Sequence, residues 1–352
     1  MSSTKGAIII PDSGSVSAGR LLTTGEAITE AIAQEMLRDP GVFVLGENVG
    51  VHGGAFAVTA GLLDRFGPAR VMDTPVSETA FVGAAVGAAL AGLRPIAELT
   101  FVDDIGLCLG QVYNAMAKAR FSSGGAVTVP MVLTAAVGGG YSDGAAHSQC
   151  LWGTFAHLPG MKVVVPSTAA DAKGLMVSAI RDENPVVFLF HKGVLGLPWL
   201  PENHRAKGYV AEEALLTPIG AAATVRPGTD LTIVTLALSV HHALDVADSV
   251  SADGVECEVI DLRSLVPLDV ETIVNSVERT GKLLVVDEDY LSYGVSAEVI
   301  ARVVERNPAL LKAPPVRVCV PDVPIPYARS LENAVLPTRD RIRRAVRELA
   351  RT

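Results

Sequence analysis

Five short runs, at 42–45, 129–135, 185–190, 230–236 and 282–286, read as strands, and those at 42–45 and 185–190 are apolar at consecutive positions rather than alternate ones. A strand with one face in water alternates, so such runs fit inside a sheet covered on both faces, the habit of parallel sheets in α/β proteins. The intervening segments carry helical spacing instead. Ala27, Ile28, Ala31, Ile32 and Met36 recur at three- and four-residue intervals behind Thr24, a candidate cap. Helices are also predicted at 59–66, after Glu78, and at 105–120, 169–181, 240–250, 270–280 and 295–305, in turn with strands. Between Gly193 and Thr229 the periodicity lapses while Pro198, Pro201, Pro218 and Pro227 accumulate, the composition of a connection. The 352 residues exceed what one core organises. The expectation is an α/β chain of two domains, at 22–200 and 230–352, each a mostly parallel sheet covered by helices. Residues 201–229 would link them, and 1–21, with Pro11, Gly14, Gly19 and scattered serines, would be a disordered or loosely attached extension.

Charged residues make up 19% of the chain against 49% apolar, so other subunits are expected to cover part of the surface. The net charge of -9 is scattered and no Lys/Arg cluster forms a stripe, which leaves no footprint for nucleic acid. Cys108, Cys150, Cys257 and Cys319 lie far apart without C-x-x-C spacing; neither a zinc site nor a disulfide framework is expected, and a reducing compartment fits. Apolar runs fall well short of the ~20 residues that cross a bilayer, and no secretory signal opens the chain. The expected location is cytoplasmic, with no membrane partner. No G-x-G-x-x-G or Walker pattern opens a helix, so the usual nucleotide sites are not expected.

One stretch concentrates the chemistry. Asp73-Thr74-Pro75-Val76-Ser77-Glu78 leads into a segment of alanine and glycine in which Glu78 is the only ionisable side chain before Arg94. Gly83, Gly87 and Gly92 each cost about 1 kcal/mol against alanine in a helix interior, so the segment should pack closely against something, with a carboxylate at its edge. The plain alternative is that Ser77 caps and Glu78 complements the helix dipole. Glu47 at a strand end and His147 in a glycine-rich loop have equally plain readings as a loop anchor and a loop histidine.

Together with their surroundings, however, these residues resemble one family. The segments Leu45-Gly46-Glu47, Asp73 to Glu78, Gly83-Ala84-Ala85-Val86-Gly87-Ala88-Ala89, Gly92-Leu93-Arg94-Pro95, Ala146-His147-Ser148-Gln149 and Ala179-Ile180-Arg181-Asp182-Glu183-Asn184-Pro185 are similar, in order and spacing, to the β subunit of the thiamine-diphosphate-dependent first component of 2-oxo acid dehydrogenase complexes. Asp261-Leu262-Arg263-Ser264-Leu265 and Val285-Val286-Asp287-Glu288 extend the likeness, and Phe101-Val102-Asp103 with 321–327 resembles the acetoin and pyruvate branches.

The resemblance implies a transketolase-like pyrimidine-binding domain followed by a transketolase C-terminal domain. It implies that Glu78 hydrogen-bonds the cofactor's aminopyrimidine, that His147 donates or orients a proton, and that Glu47 relays protons between paired sites. It also implies potassium at 179–184, through Ala179, Ile180, Asp182 and Asn184 with Met131 nearby. The Gly-Asp-Gly motif that holds magnesium and the diphosphate in this family is missing; Ser142-Asp143-Gly144 lacks the first glycine. A separate α subunit is therefore implied, in an α2β2 assembly, with a lipoyl-bearing acyltransferase as acyl acceptor.

Two positions depart from the pattern: Asp104 stands where the family places an aromatic on the aminopyrimidine, and Ala146 where it has glutamine. Phe101 is the candidate substitute for the missing ring. The departures keep two alternatives open, a thiamine-dependent acyl transferase or carboligase without oxidation, and a non-catalytic structural partner.

Overall fold

The computed structural model describes residues 20–200, 203 and 205–352. The loose extension expected over 1–19 lies outside the described residues, whereas Arg20 and Leu21 open a strand, β1 (Arg20–Thr23). Helix α1 (Thr24–Arg38) then starts at a capping box: Thr23 Oγ1 accepts from the Glu26 amide at 3.1 Å, and Glu26 Oε2 accepts from the Thr23 amide at 2.7 Å. The cap is Thr23 rather than Thr24, whose buried hydroxyl donates to the Ala206 carbonyl instead.

The chain continues through β2 (Val42–Gly46), α2 (Leu62–Phe66), β3 (Val71–Asp73), α3 (Glu78–Leu90), β4 (Arg94–Phe101), α4 (Ile105–Gly110) and α5 (Ala117–Ser122). It completes the first half with β5 (Val132–Val137), α6 (Trp152–His157), β6 (Lys162–Val164), α7 (Ala169–Arg181) and β7 (Val186–His191). A π-helical turn, Gln111–Met116, joins α4 to α5. Six strands run parallel in the order β6-β7-β5-β4-β2-β3, and every residue of β2, β5 and β7 is buried, as the unalternating apolar runs require. Ile28, Ile32 and Met36 of α1 share one face's cluster with Leu175, Met176 and Ile180 of α7. Phe81, Val82, Ala85, Val86 and Ala89 of α3 pack into the cluster on the other face.

The second half comprises β8 (Lys207–Val210), β9 (Ala223–Arg226), β10 (Leu231–Thr235), α8 (Leu238–Ser251), β11 (Cys257–Asp261), β12 (Ser264–Val266) and α9 (Val270–Thr280). It ends with β13 (Leu283–Tyr290), α10 (Val295–Arg306), β14 (Val316–Val320), α11 (Arg329–Val335) and α12 (Arg339–Ala350). Its sheet runs β14-β13-β10-β11-β9, parallel except at β9. The stretch expected to be a linker is thus partly structured: β9 edges this sheet, and β8 pairs antiparallel with β1, Leu21 opposite Tyr209. Both strands are four residues long with mostly solvated side chains, so no apolar run announces them.

The halves also interlock. β12 crosses back and extends the first sheet antiparallel to β6, Ser264 opposite Val164. Around it the Ser167 hydroxyl donates to the buried Asp261 carboxyl, and Arg263 pairs with Asp171 at 2.8 Å. The Asp261-to-Leu265 segment is therefore one of the places where the halves are fastened together. Helix α12 gathers Arg339, Arg341, Arg343, Arg344 and Arg347, a local concentration of basic residues that the sequence reading passed over. Asp245, Asp340 and Asp253 offset Arg339, Arg343 and Arg347. Among the described residues no helix is long and apolar enough to cross a membrane.

Candidate active site

The C-terminal ends of parallel strands form the natural opening of an α/β sheet, and three strands deliver the candidate residues there. β2 ends at Gly46 and presents Glu47; a Cβ on Gly46 would lie 2.6 Å from the Glu98 carbonyl of β4, so only glycine allows this approach. β4 ends at Phe101 and turns through Val102–Asp104 into α4. β5 ends at Val137 and passes into the loop that carries His147. Glu78 opens α3, without help from Ser77: that hydroxyl donates to the Pro75 carbonyl at 2.9 Å and caps nothing. The plain capping account of Ser77 is thereby corrected. Gly92 likewise lies outside the helix, past its end at Leu90, with φ +93°.

The carboxylates at this edge feel one another. Burial and then the Glu78 charge push the Glu47 carboxyl above its ordinary pKa, with Asp104 adding to the rise and a Ser77 backbone hydrogen bond working against it. Glu47 Oε1 is buried without a partner. Burial and then Glu78 raise Asp104 too, and His147 partly offsets this. The Cys108 thiol is pushed up to about 12 by burial, Glu78 and Asp104.

This tension has a consequence for stability. A carboxyl whose folded-state pKa lies above its unfolded value holds its proton more tightly when folded, so its contribution is fully present below the unfolded pKa and is lost as pH rises through the folded one. Glu47→Gln should therefore raise the melting temperature at pH 7, with the gain shrinking toward zero below about pH 4, where both forms are protonated. Thermal melts of both chains at the two pH values check it; equal gains at both would refute the electrostatic cause.

His147 is exposed, and its ring lies 4.3 Å from that of Phe101, tilted by 58°. Phe101 in turn meets Phe56 edge-on at 5.5 Å. Glu47, Glu78, Phe101, Asp104 and His147 thus share one site. Sequence reasoning missed three groups around it. Asp103 Oδ1 accepts from Gln149 Nε2 at 2.7 Å, while Tyr290 donates to Gln149 Oε1 at 3.1 Å. Glu288 accepts from the Gly139 amide at 2.8 Å. Glu332 of α11, wholly buried, accepts from the Gly140, Tyr141 and Ser142 amides at 2.7, 3.1 and 3.2 Å, a nest of backbone donors around a carboxylate. The Val285-to-Glu288 motif supplied a signal for Glu288 and the Phe101-Val102-Asp103 motif one for Asp103; none in the sequence marked Glu332. Cys150, His191 and Glu288 also cluster, buried, but both His191 nitrogens are engaged, Nδ1 by the Gly193 amide at 2.9 Å and Nε2 with Glu288 at 3.1 Å.

Met131, Ala179, Ile180, Asp182 and Asn184 lie away from this edge, at the opposite ends of the strands. Arg94 donates to the Ile180 and Asp182 carbonyls at 3.1 and 3.2 Å, and Lys162 to Asp182 Oδ2. The other carboxylate oxygen takes the Asn184 amide at 2.9 Å, Asn184 Oδ1 takes Arg120 at 2.6 Å, and the Met131 carbonyl takes the Val186 amide at 3.0 Å. The donors are oxygens, as a hard cation wants, but side-chain cations already stand among them. The set does not fit a further cation as it is arranged.

Comparison with known proteins bears on the whole chain. Residues 20–198 match the transketolase pyrimidine-binding domain and 220–342 the transketolase C-terminal domain. The chain is 44% identical to the acetoin:2,6-dichlorophenolindophenol oxidoreductase subunit beta of Cupriavidus necator, over 94% of this chain and 97% of that one. It is 43% identical to the 2-oxoisovalerate dehydrogenase subunit beta of Bacillus subtilis, over 92% and 97%. It is 44% identical to the mitochondrial pyruvate dehydrogenase E1 component subunit beta of Bos taurus, over 90% and 87%. Among solved structures, a split-gene transketolase, an inactive β4 tetramer, superposes with a TM-score of 0.74 at 24% identity, covering 94% of this chain and 98% of that one, a likeness of fold.

Proposed function

Since the chain belongs to the transketolase-related family of dehydrogenase β subunits, we propose that it is the β subunit of a thiamine-diphosphate-dependent acetoin or 2-oxo acid dehydrogenase first component. It would cleave the carbon–carbon bond beside a carbonyl and pass the acyl group to a lipoyl carrier. The observation that carries this reading is the convergence of Glu47, Glu78 and Phe101 at one strand-end edge, with a buried Glu47 oxygen lacking a partner. That edge fits an aminopyrimidine: a carboxylate pair for its nitrogens and an aromatic face beside them.

When bound, thiamine diphosphate supplies a nucleophilic carbon and an electron sink. Glu78, half-buried beside two other acids, is placed to hold a proton against a weakly basic ring nitrogen. Glu47, whose proton is held more firmly than usual, shares and relays it. Phe101 takes the apolar contact that Asp104 cannot give, and His147, at the exposed lip, donates to the substrate oxygen. Magnesium and the diphosphate fall to the α subunit, and no step runs through potassium.

The α subunit has a face to cover. Ala80, Ala84, Gly87 and Leu90 line the exposed side of α3, Leu107, Leu109 and Tyr113 are exposed nearby, and a Cβ on Gly87 would meet nothing within 4 Å of this chain. Small side chains there permit close approach in an α2β2 assembly. The four buried, unpaired cysteines suit a reducing compartment such as the cytoplasm.

The test mixes this chain with its α partner, thiamine diphosphate, magnesium and an artificial electron acceptor. Acetoin, pyruvate and branched 2-oxo acids are offered in turn, and reduction with one of them is expected. Product formation without acceptor reduction would indicate a carboligase or acyl transferase instead, and no saturable cofactor binding would indicate a structural partner.

A further inference from the structure

We propose that Lys192 is the positioning residue that sets where His147 stands, an inference that rests on the role just assigned to His147. Lys192 follows β7 directly, in the turn Lys192–Val194, and is only 1% exposed. An ammonium group so buried is costly unless it is paired, and the partners it has taken all belong to the site. Its Nζ donates to the His147 carbonyl at 2.7 Å and to Asp143 Oδ2 at 2.5 Å. It also stands 5.3 Å from the Tyr141 ring centroid and 5.6 Å from that of Phe101, within cation–π range of both.

Phe101 is the ring beside which His147 lies. One cation therefore grips both sides of the imidazole's support, the backbone of the loop at 141–147 and the aromatic wall at the end of β4. The loop's own turn adds little, a single backbone bond from His147 to Gly144 at 3.3 Å. Glu332 and Glu288 hold the loop upstream, at 139–142, whereas Lys192 alone of these groups reaches His147 itself. Lys192 does not touch the imidazole. It acts through the position of the backbone, so its loss should move the proton donor without disturbing the carboxylates that face the cofactor ring.

The experiment compares Lys192→Met, Lys192→Arg and Asp143→Asn with wild type in the assembled α–β complex. Lys192→Met should lower kcat about 10- to 100-fold, the scale of a donor misplaced by an ångström. The dissociation constant of thiamine diphosphate should stay within about 3-fold, because Glu47 and Glu78 are untouched and methionine keeps an apolar stem beside Phe101. Lys192→Arg, which keeps the charge and the donors, should recover most of kcat, and Asp143→Asn should fall between the two. Hydrogen exchange supplies a readout that needs no turnover: residues 143–149 should exchange faster in Lys192→Met, with the sheet unchanged. Wild-type kcat in Lys192→Met overturns the proposal. So does a joint loss of kcat and cofactor affinity that arginine fails to rescue, since that is the mark of general misfolding. A wild-type complex inactive on every substrate would defeat the functional assignment, while the exchange comparison would still judge whether Lys192 holds the loop.

Discussion

Glu78→Gln in the assembled complex is expected to lower turnover by about 10²- to 10⁴-fold, the range over which a positioned general acid–base group acts. Glutamine keeps the size of the side chain and can still meet the ring nitrogen, but it cannot take up and release a proton there. The fold should tolerate the change: Glu78 is half-buried and stands at a helix start that has no side-chain cap to lose. Removing its charge also relieves Glu47 and Asp104, both of which it pushes upward. The variant should accordingly melt no lower than wild type at pH 7 while being nearly inactive. Initial rates with the artificial acceptor, measured beside a thermal melt, decide the matter; turnover within a few-fold of wild type would remove Glu78 from the mechanism.

The second large effect belongs to Glu332. Replacing it with alanine strips the acceptor from three consecutive amides, those of Gly140, Tyr141 and Ser142, and removes the carboxylate beside Arg329, which keeps its hydrogen bond to the Gly140 carbonyl. A buried donor left unsatisfied costs about 1–3 kcal/mol, whereas Arg329, itself 47% exposed, is left in water at little cost, so a loss of about 3 kcal/mol, carried by the three amides, is expected. Glu332→Gln should lose less, because one carbonyl oxygen remains to accept. Denaturant midpoints of the three chains measure this, and a Glu332→Ala midpoint indistinguishable from wild type would show that water replaces the carboxylate. The cost should also reach activity, since the nest begins the loop that ends at His147.

These two residues divide what the sequence makes legible from what it does not. Glu78, Glu47 and His147 stand inside contiguous motifs, and the helices at 169–181 and 270–280 coincide with α7 and α9, because local periodicity and end signals decide them. Glu332 and Lys192 act across separations of 192 and 45 residues, and no local pattern records where two distant segments meet. The strands β8, β9 and β12 were missed for a related reason: each is three or four residues long and owes its conformation to the partner strand rather than to its own apolar run. Asp104, a departure from the expected aromatic, turns out to sit among the site's charges, while Phe101 supplies the nearby ring.

The return of β12 to the first sheet bears on how the chain is made. Val164 leaves the ribosome about 100 residues before Ser264, its eventual neighbour, an interval of roughly 5–20 s at ordinary synthesis rates. Once β7 has followed, β6 remains for the rest of it an uncovered strand edge on an otherwise complete sheet, the kind of template that recruits other nascent chains. Lys162 on that edge, paired with Asp182, is a charge of the type that discourages such pairing. Any chain interrupted before Ser264 keeps the edge open permanently, so premature termination should yield aggregates rather than a soluble first half.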